Sequence, residues 1–124
     1  MIQKESKLLL CDNSGGRIAK CISLRHSYKT VGSGKIIKVA IQRLRKKRRS
    51  KSRVKKGKLY PSLIIQTRRF FFRKSSKSYQ CDNNFSIILG KNNEPLATRV
   101  FNGVPKEART QRKSKLFLMA PFIY

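Results

Sequence analysis

The chain has no tryptophan, one histidine and five acidic residues in 124. Each scarcity excludes something. Paired carboxylates for general acid–base work are absent, because the five acids are scattered. His26 has no recognisable catalytic partner, so nothing resembles a hydrolytic or metal-assisted active site. The three cysteines (Cys11, Cys21, Cys81) are an odd number with no Cys-x-x-Cys pair. They are read as reduced thiols, two of them in strand-like runs, and not as zinc ligands. No apolar run approaches the roughly 18–20 residues of a membrane helix. The run Leu8-Leu9-Leu10-Cys11 ends at once in Asp12-Asn13, too short for a secretory segment, and Glu5 falls early for a presequence.

What the chain does have is positive charge. Lys and Arg total 31, for a net +26 and an isoelectric point near 11.1. Self-repulsion at that density opposes compaction, so a polyanionic partner is expected to neutralise it. Nucleic acid comes first and an anionic membrane surface second. No basic amphipathic helix supports the membrane alternative. An acidic small molecule would need only a few cations. The length fits one domain, able to bury roughly two-thirds of its unfolded surface.

The apolar residues recur with strand character. The runs 7–11, 17–24, 35–42, 59–67, 84–89 and 97–101 are short and rich in β-branched residues, with turn residues between them. Short strands at this spacing predict a small barrel or sandwich. "KIIKVAI" places Ile37, Val39 and Ile41 on one face of a half-buried strand. Pro61, inside a strand-like run, is read as an edge or bulge position. Pro105 and Glu107 suit the first turn of a helix. One or two short helices are expected from 105 to about 117, with Pro121 stopping any continuation.

Three stretches invite a functional reading. "TVGSGK" (30–35) hints at a phosphate-binding loop. It fails, because Lys29 stands where that loop needs its first glycine and Ile36 where it needs Ser or Thr. It is read as a tight turn. The segment 42–58 carries eleven basic residues and no acidic one. It is expected to be a hairpin or loop whose cations meet phosphates, a disordered solvated arm being the alternative. In 68–79, Phe70, Phe71 and Phe72 lie between Arg68-Arg69 and Arg73-Lys74. Alternation forbids all three rings one face. Some are expected to join the core, base stacking being the alternative, with the flanking cations the better RNA ligands. In "CDNSGG" (11–16), Asp12 is expected to accept backbone N–H bonds two residues on, a fold-building role.

The ordered series "MIQKESKLLLCDNSGGRIAKCI", "VGSGKIIKVAI", "VKKGKLY", "CDNNFSIIL", "ATRVFNGVPKEAR" and "LFLMAPFIY" resembles the L-fourteen family of large-subunit ribosomal proteins along the whole chain. The segment 42–53 is longer and more basic than the bacterial pattern, and Cys81 stands where the family has an aromatic. The resemblance implies a mostly β protein, one domain over 1–124. It would comprise a five-stranded β-barrel over 1–104, with the basic loop 42–58, and a short C-terminal α-helical segment and tail over 105–124. It implies a non-enzymatic structural role, without cofactor or metal, on large-subunit rRNA. On charge and family position, the rRNA-binding residues would be Arg17, Arg25, Lys35, Lys55, Lys56, Arg68, Arg69, Arg73, Lys74 and Lys77. Bridges to small-subunit rRNA would use Arg43, Arg45, Lys46, Lys47, Arg48, Arg49, Lys113 and Lys115. A neighbouring ribosomal protein of family nineteen and a ribosomal silencing factor are the implied protein partners, the latter on the face of Thr98 and Arg99. Richness in Lys, Ile, Asn, Phe and Ser suits an AT-rich genome, which points to a mitochondrial ribosome, with plastid or bacterial cytoplasm as alternatives. A dissociable nucleic-acid binder and a small RNA-processing enzyme are the competing classes.

Overall fold

The structure is a computed structural model and describes residues 1–24, 29–46, 52–90, 92–111 and 114–124. Arg25, His26, Lys47, Arg48, Arg49 and Lys113 lie outside the described residues. Five strands close a barrel in the order β1-β2-β3-β4-β7: β1 Lys7–Leu10, β2 Gly16–Leu24, β3 Ile36–Leu44, β4 Leu59–Gln66 and β7 Phe85–Ile88. All contacts are antiparallel except the closing one, where β1 runs parallel to β7 with Leu9 beside Phe85. Outside the barrel, β5 Phe71–Phe72 and β6 Ser78–Tyr79 form a two-stranded hairpin. A 3₁₀ helix, Lys106–Gln111, and an α-helix, α1 Ser114–Met119, follow. The predicted architecture is therefore present, a closed five-stranded barrel with a short helical segment near the C-terminus.

Period-two alternation builds the interior. Ala19, Cys21, Ile37, Val39, Ile41, Leu8 and Ile88 point inward with Ile2 and Val54 as plugs. In β4 the burial is continuous from Ser62 to Gln66 because both faces are covered. Ile64 faces the barrel, whereas Leu63 and Ile65 join Ile87, Val104, Ala108 and Leu116 in a second apolar cluster under the C-terminal segment. Burying such side chains contributes about 1.5–3 kcal/mol each. Burial pushes the Cys11 thiol up to about 12, and Cys21 is raised for the same reason. Both stay protonated, inert members of the core.

Asp12 holds the junction. It is fully buried, and its Oδ1 accepts from Ser14 N–H (3.3 Å) and Ser14 Oγ (2.6 Å). The two-residue reach is the expected one. Its Oδ2 also accepts from Ile88 N–H at 2.9 Å, fastening the first turn to β7. Burial pushes its pKa up, opposed by these bonds. Gly15 follows at φ 102°, where a Cβ would also fall 2.4 Å from that of Ser52.

Three expectations are corrected. Pro61 is neither at an edge nor in a bulge: it lies in β4, between β3 and β7. Leu89 N–H donates to the Pro61 carbonyl (2.8 Å), and the bond that proline cannot return falls one residue beyond β7. The 97–101 run is not a strand. Only Val100 makes a bridge, to Asp12, and the neighbouring N–H groups of Thr98 and Arg99 go to the Asn13 side chain. The phenylalanines do not join the core, since Phe70, Phe71 and Phe72 are all exposed. β5 holds only Phe71 and Phe72 and pairs only with β6, outside the barrel.

Asp12→Ala is expected to destabilise the fold by about 1–3 kcal/mol, the cost of leaving buried donors unpaired. Asp12→Asn, which keeps one oxygen acceptor, is expected to cost less. Urea denaturation midpoints of the three proteins check both statements.

Candidate nucleic-acid interface

Strand order puts the candidate cations at two ends of the barrel. One end holds the 11–16 turn, the end of β3 and the start of β4. There Arg17 is the residue that a bulge leaves unpaired on β2, between the pairs Gly16–Leu44 and Ile18–Arg43. The bulge aims it outward, beside exposed Arg43. Lys46, Lys55 and Lys56 are exposed on the stems of the basic loop. Thr98 and Arg99 are exposed near this end, held by Asn13. Asn13 Oδ1 accepts both backbone N–H groups at 2.9 and 3.3 Å, and its Nδ2 donates to Thr98 Oγ1 at 2.8 Å. Lys115 is exposed and makes a solvent-screened ion pair with Glu94 (3.2 Å).

Both stems of the loop are clamped to the 11–16 turn. Arg45 N–H donates to the Gly15 carbonyl and Arg53 N–H to the Ser14 carbonyl, each at 2.9 Å. The Arg45 guanidinium is half-buried. It donates to the Leu10 carbonyl (3.1 Å) and lies over the Phe101 ring, 5.0 Å from its centre. Arg53 Nη1 donates to the Leu96 carbonyl at 2.6 Å. Val54 is buried in the barrel plug, and Ser52 Oγ donates to its carbonyl. Arg45 and Arg53 thus spend their charge anchoring the loop, while Arg43 and Lys46 face outward.

The opposite end carries Lys35, just ahead of β3, with Arg68 and Arg69 past the end of β4. Lys74 and Lys77 sit at the tip of the β5–β6 hairpin, and all five are exposed. Asn84 Oδ1 accepts from Arg68 N–H (2.9 Å) and Gln80 Nε2 donates to the Arg68 carbonyl (3.0 Å), fixing the hairpin's root. Arg73 differs from its neighbours. Its Nε donates to Glu107 Oε1 (2.8 Å), its Nη2 to Glu107 Oε2 (3.2 Å) and to the Tyr124 carbonyl (2.8 Å), and it stacks on Tyr79. This fork braces the hairpin against the 3₁₀ helix and the chain end.

Sequence reading missed Asn13 as the clamp on Thr98 and Arg99, and it missed the internal roles of Arg45 and Arg73. The Asn-Ser-Gly-Gly composition of the turn signals side-chain-to-backbone bonding, but nothing local names the distant partner. Among the described residues no cluster of histidine, cysteine, aspartate and glutamate could hold a metal ion. No described helix is long and apolar enough to cross a membrane.

A closed small barrel with cations at both ends, its basic loop seated on a rigid turn, defines a class of small, strongly basic β-barrel proteins. The family model described as Ribosomal protein L14p/L23e matches residues 1–124, and the chain belongs to that family. It is accordingly a structural protein of the large ribosomal subunit, located on the ribosome, and the family implies rRNA and other ribosomal proteins as partners. The family is generally non-enzymatic.

Burial alone would push the Glu107 carboxyl up. The hydrogen bonds from Arg73 and Tyr79 outweigh it and hold the carboxyl below its ordinary 4.5. The unfolded chain therefore binds this proton more readily. The fork's contribution is present above 4.5 and is lost as pH falls through the lower folded value. The urea-midpoint gap between wild type and Glu107→Gln is expected to be widest at neutral pH and to narrow on acidification below 4.5. A gap constant across that range would remove the ion pair from the account.

Proposed function

We propose that the two cationic ends divide the work of holding the ribosome together. Arg17, Lys35, Lys55, Lys56, Arg68, Arg69, Lys74 and Lys77 bind large-subunit rRNA phosphates. Arg25, outside the described residues, is assigned with them. Arg73 acts on the RNA only through the hairpin it braces. The basic loop, through Arg43 and Lys46 to Arg49, reaches small-subunit rRNA across the subunit interface, with Lys113 and Lys115 forming a second bridge. Thr98 and Arg99 present the surface for a silencing factor, and a protein of family nineteen packs alongside. The ribosome in question is mitochondrial, in keeping with the composition.

The observation that carries this reading is the clamping of both loop stems to the 11–16 turn. The clamped stems fix the foot of the loop, where Arg43 and Lys46 are exposed. A phosphate surface there gains by counterion release, with six to ten contacts changing affinity by roughly 10³–10⁵ across a few-fold change in salt.

Replacing Arg43, Lys46, Lys47, Arg48 and Arg49 together by serine, with Arg45 kept as the anchor, is expected to weaken subunit joining several-fold while large subunits still assemble. Sucrose-gradient profiles of the ribosomes read both quantities. Normal joining would overturn the bridge. Release of the wild-type protein from large-subunit rRNA as a free monomer at moderately raised salt would overturn the embedded ribosomal role.

A further inference from the structure

The β5–β6 hairpin has two unlike faces. On one, Phe71 lies 5.4 Å from Tyr79, which meets Tyr124 edge-on at 5.2 Å, and Arg73 covers Tyr79. That face leans on the protein. Strand alternation sends Phe70 and Phe72 the other way. Their ring centres are 4.8 Å apart, and the rings are 44% and 76% exposed for the residues as wholes. A buried role is thereby closed to them, and two neighbouring aromatic residues in water are a cost the fold itself does not recover.

Their surroundings select the partner. Exposed Arg68 and Arg69 precede the pair in the chain, and exposed Lys74 and Lys77 follow at the hairpin tip. Asp82, exposed, is the acidic residue nearest in sequence among those described. Exposed rings flanked on both sides in the chain by exposed cations suit a polyanion that carries flat apolar groups. Single-stranded RNA has both, phosphates for the cations and unstacked bases for the rings. A paired helix hides its bases and would engage the cations alone. An apolar protein surface would have to desolvate the flanking cations without compensation.

We infer that Phe70 and Phe72 form a stacking platform for unpaired bases, with Arg68, Arg69, Lys74 and Lys77 gripping the flanking phosphates. This rests on the rRNA-binding reading above and names the RNA element that the hairpin takes. The rings supply what the cations cannot, a preference for unpaired over paired nucleotides.

The test uses the full chain and two RNA probes, a hairpin with a ten-nucleotide loop and a fully paired duplex of equal length. Titrations compare wild type with the double variant Phe70→Leu, Phe72→Leu. Leucine keeps apolar bulk but has no π-face, and both positions are exposed, so folding is preserved and checked by circular dichroism. A fluorescent label on the RNA reports binding. The expected result is about a 5- to 100-fold loss of affinity for the looped RNA, with the duplex unchanged. Equal affinity of wild type and variant for the looped RNA overturns the stacking platform and leaves an apolar protein contact as the use of the rings. Failure of the wild type to bind either RNA overturns the rRNA-binding reading itself. If the variant fails to fold, Phe72→Leu alone, the more exposed position, is read by the same criteria.

Discussion

One buried carboxylate organises this molecule. Asp12 is among few acidic residues in a chain carrying net +26, and it is spent inside the fold, where its oxygens tie the first turn to β7. The ordered turn then offers the Ser14 and Gly15 carbonyls to the two stems of the basic loop. Asn13, the next residue, takes the 98–99 backbone. Barrel closure, loop anchoring and the placement of the 97–101 segment all meet within four residues, 12–15. Nothing in a surface ion pair could do the same, because exposed pairs contribute little and are screened.

The cations fall into two populations that composition does not separate. Arg45, Arg53 and Arg73 are structural: each donates to backbone carbonyls or to Glu107. All three are arginines, whose planar fork can satisfy several acceptors at once. The exposed cations of the loop stems and the hairpin tip include most of the lysines of those segments, which act as flexible point charges. In the proposed reading, a phosphate backbone meets the second population, which the first holds in place.

Much of the fold was legible in the sequence because it follows from local rules. Alternation in "KIIKVAI" located β3 and its inward face, and Pro105 and Pro121 bounded the helical segment. Pro61 misled because an edge was inferred from a missing donor, and a closed barrel can place that donor just beyond a neighbouring strand's end. The 97–101 run has strand composition, but its N–H groups are claimed by a side chain far away in the sequence. Of the interface, the location of charge was legible, whereas which arginines are internally committed was not. The partners of Arg45 and Arg73 lie 35 and 34 positions away. The phenylalanines show the same limit, since their hydrophobicity says "buried" while their short hairpin stands outside the barrel and leaves all three exposed.

The parallel seam between β1 and β7 has a consequence for how the chain reaches this state. Asp12 and Ile88 are separated by 76 positions, so the seam cannot form until most of the polypeptide has left the site of synthesis. Any pairing of β1 to β4 before then leaves two bare edges, the condition in which strands recruit wrong partners. Loops closed over such distances also form slowly. Throughout that interval the repulsion among the cations works against association of one nascent copy with another. The charge that burdens the finished barrel thus guards it while it is unfinished.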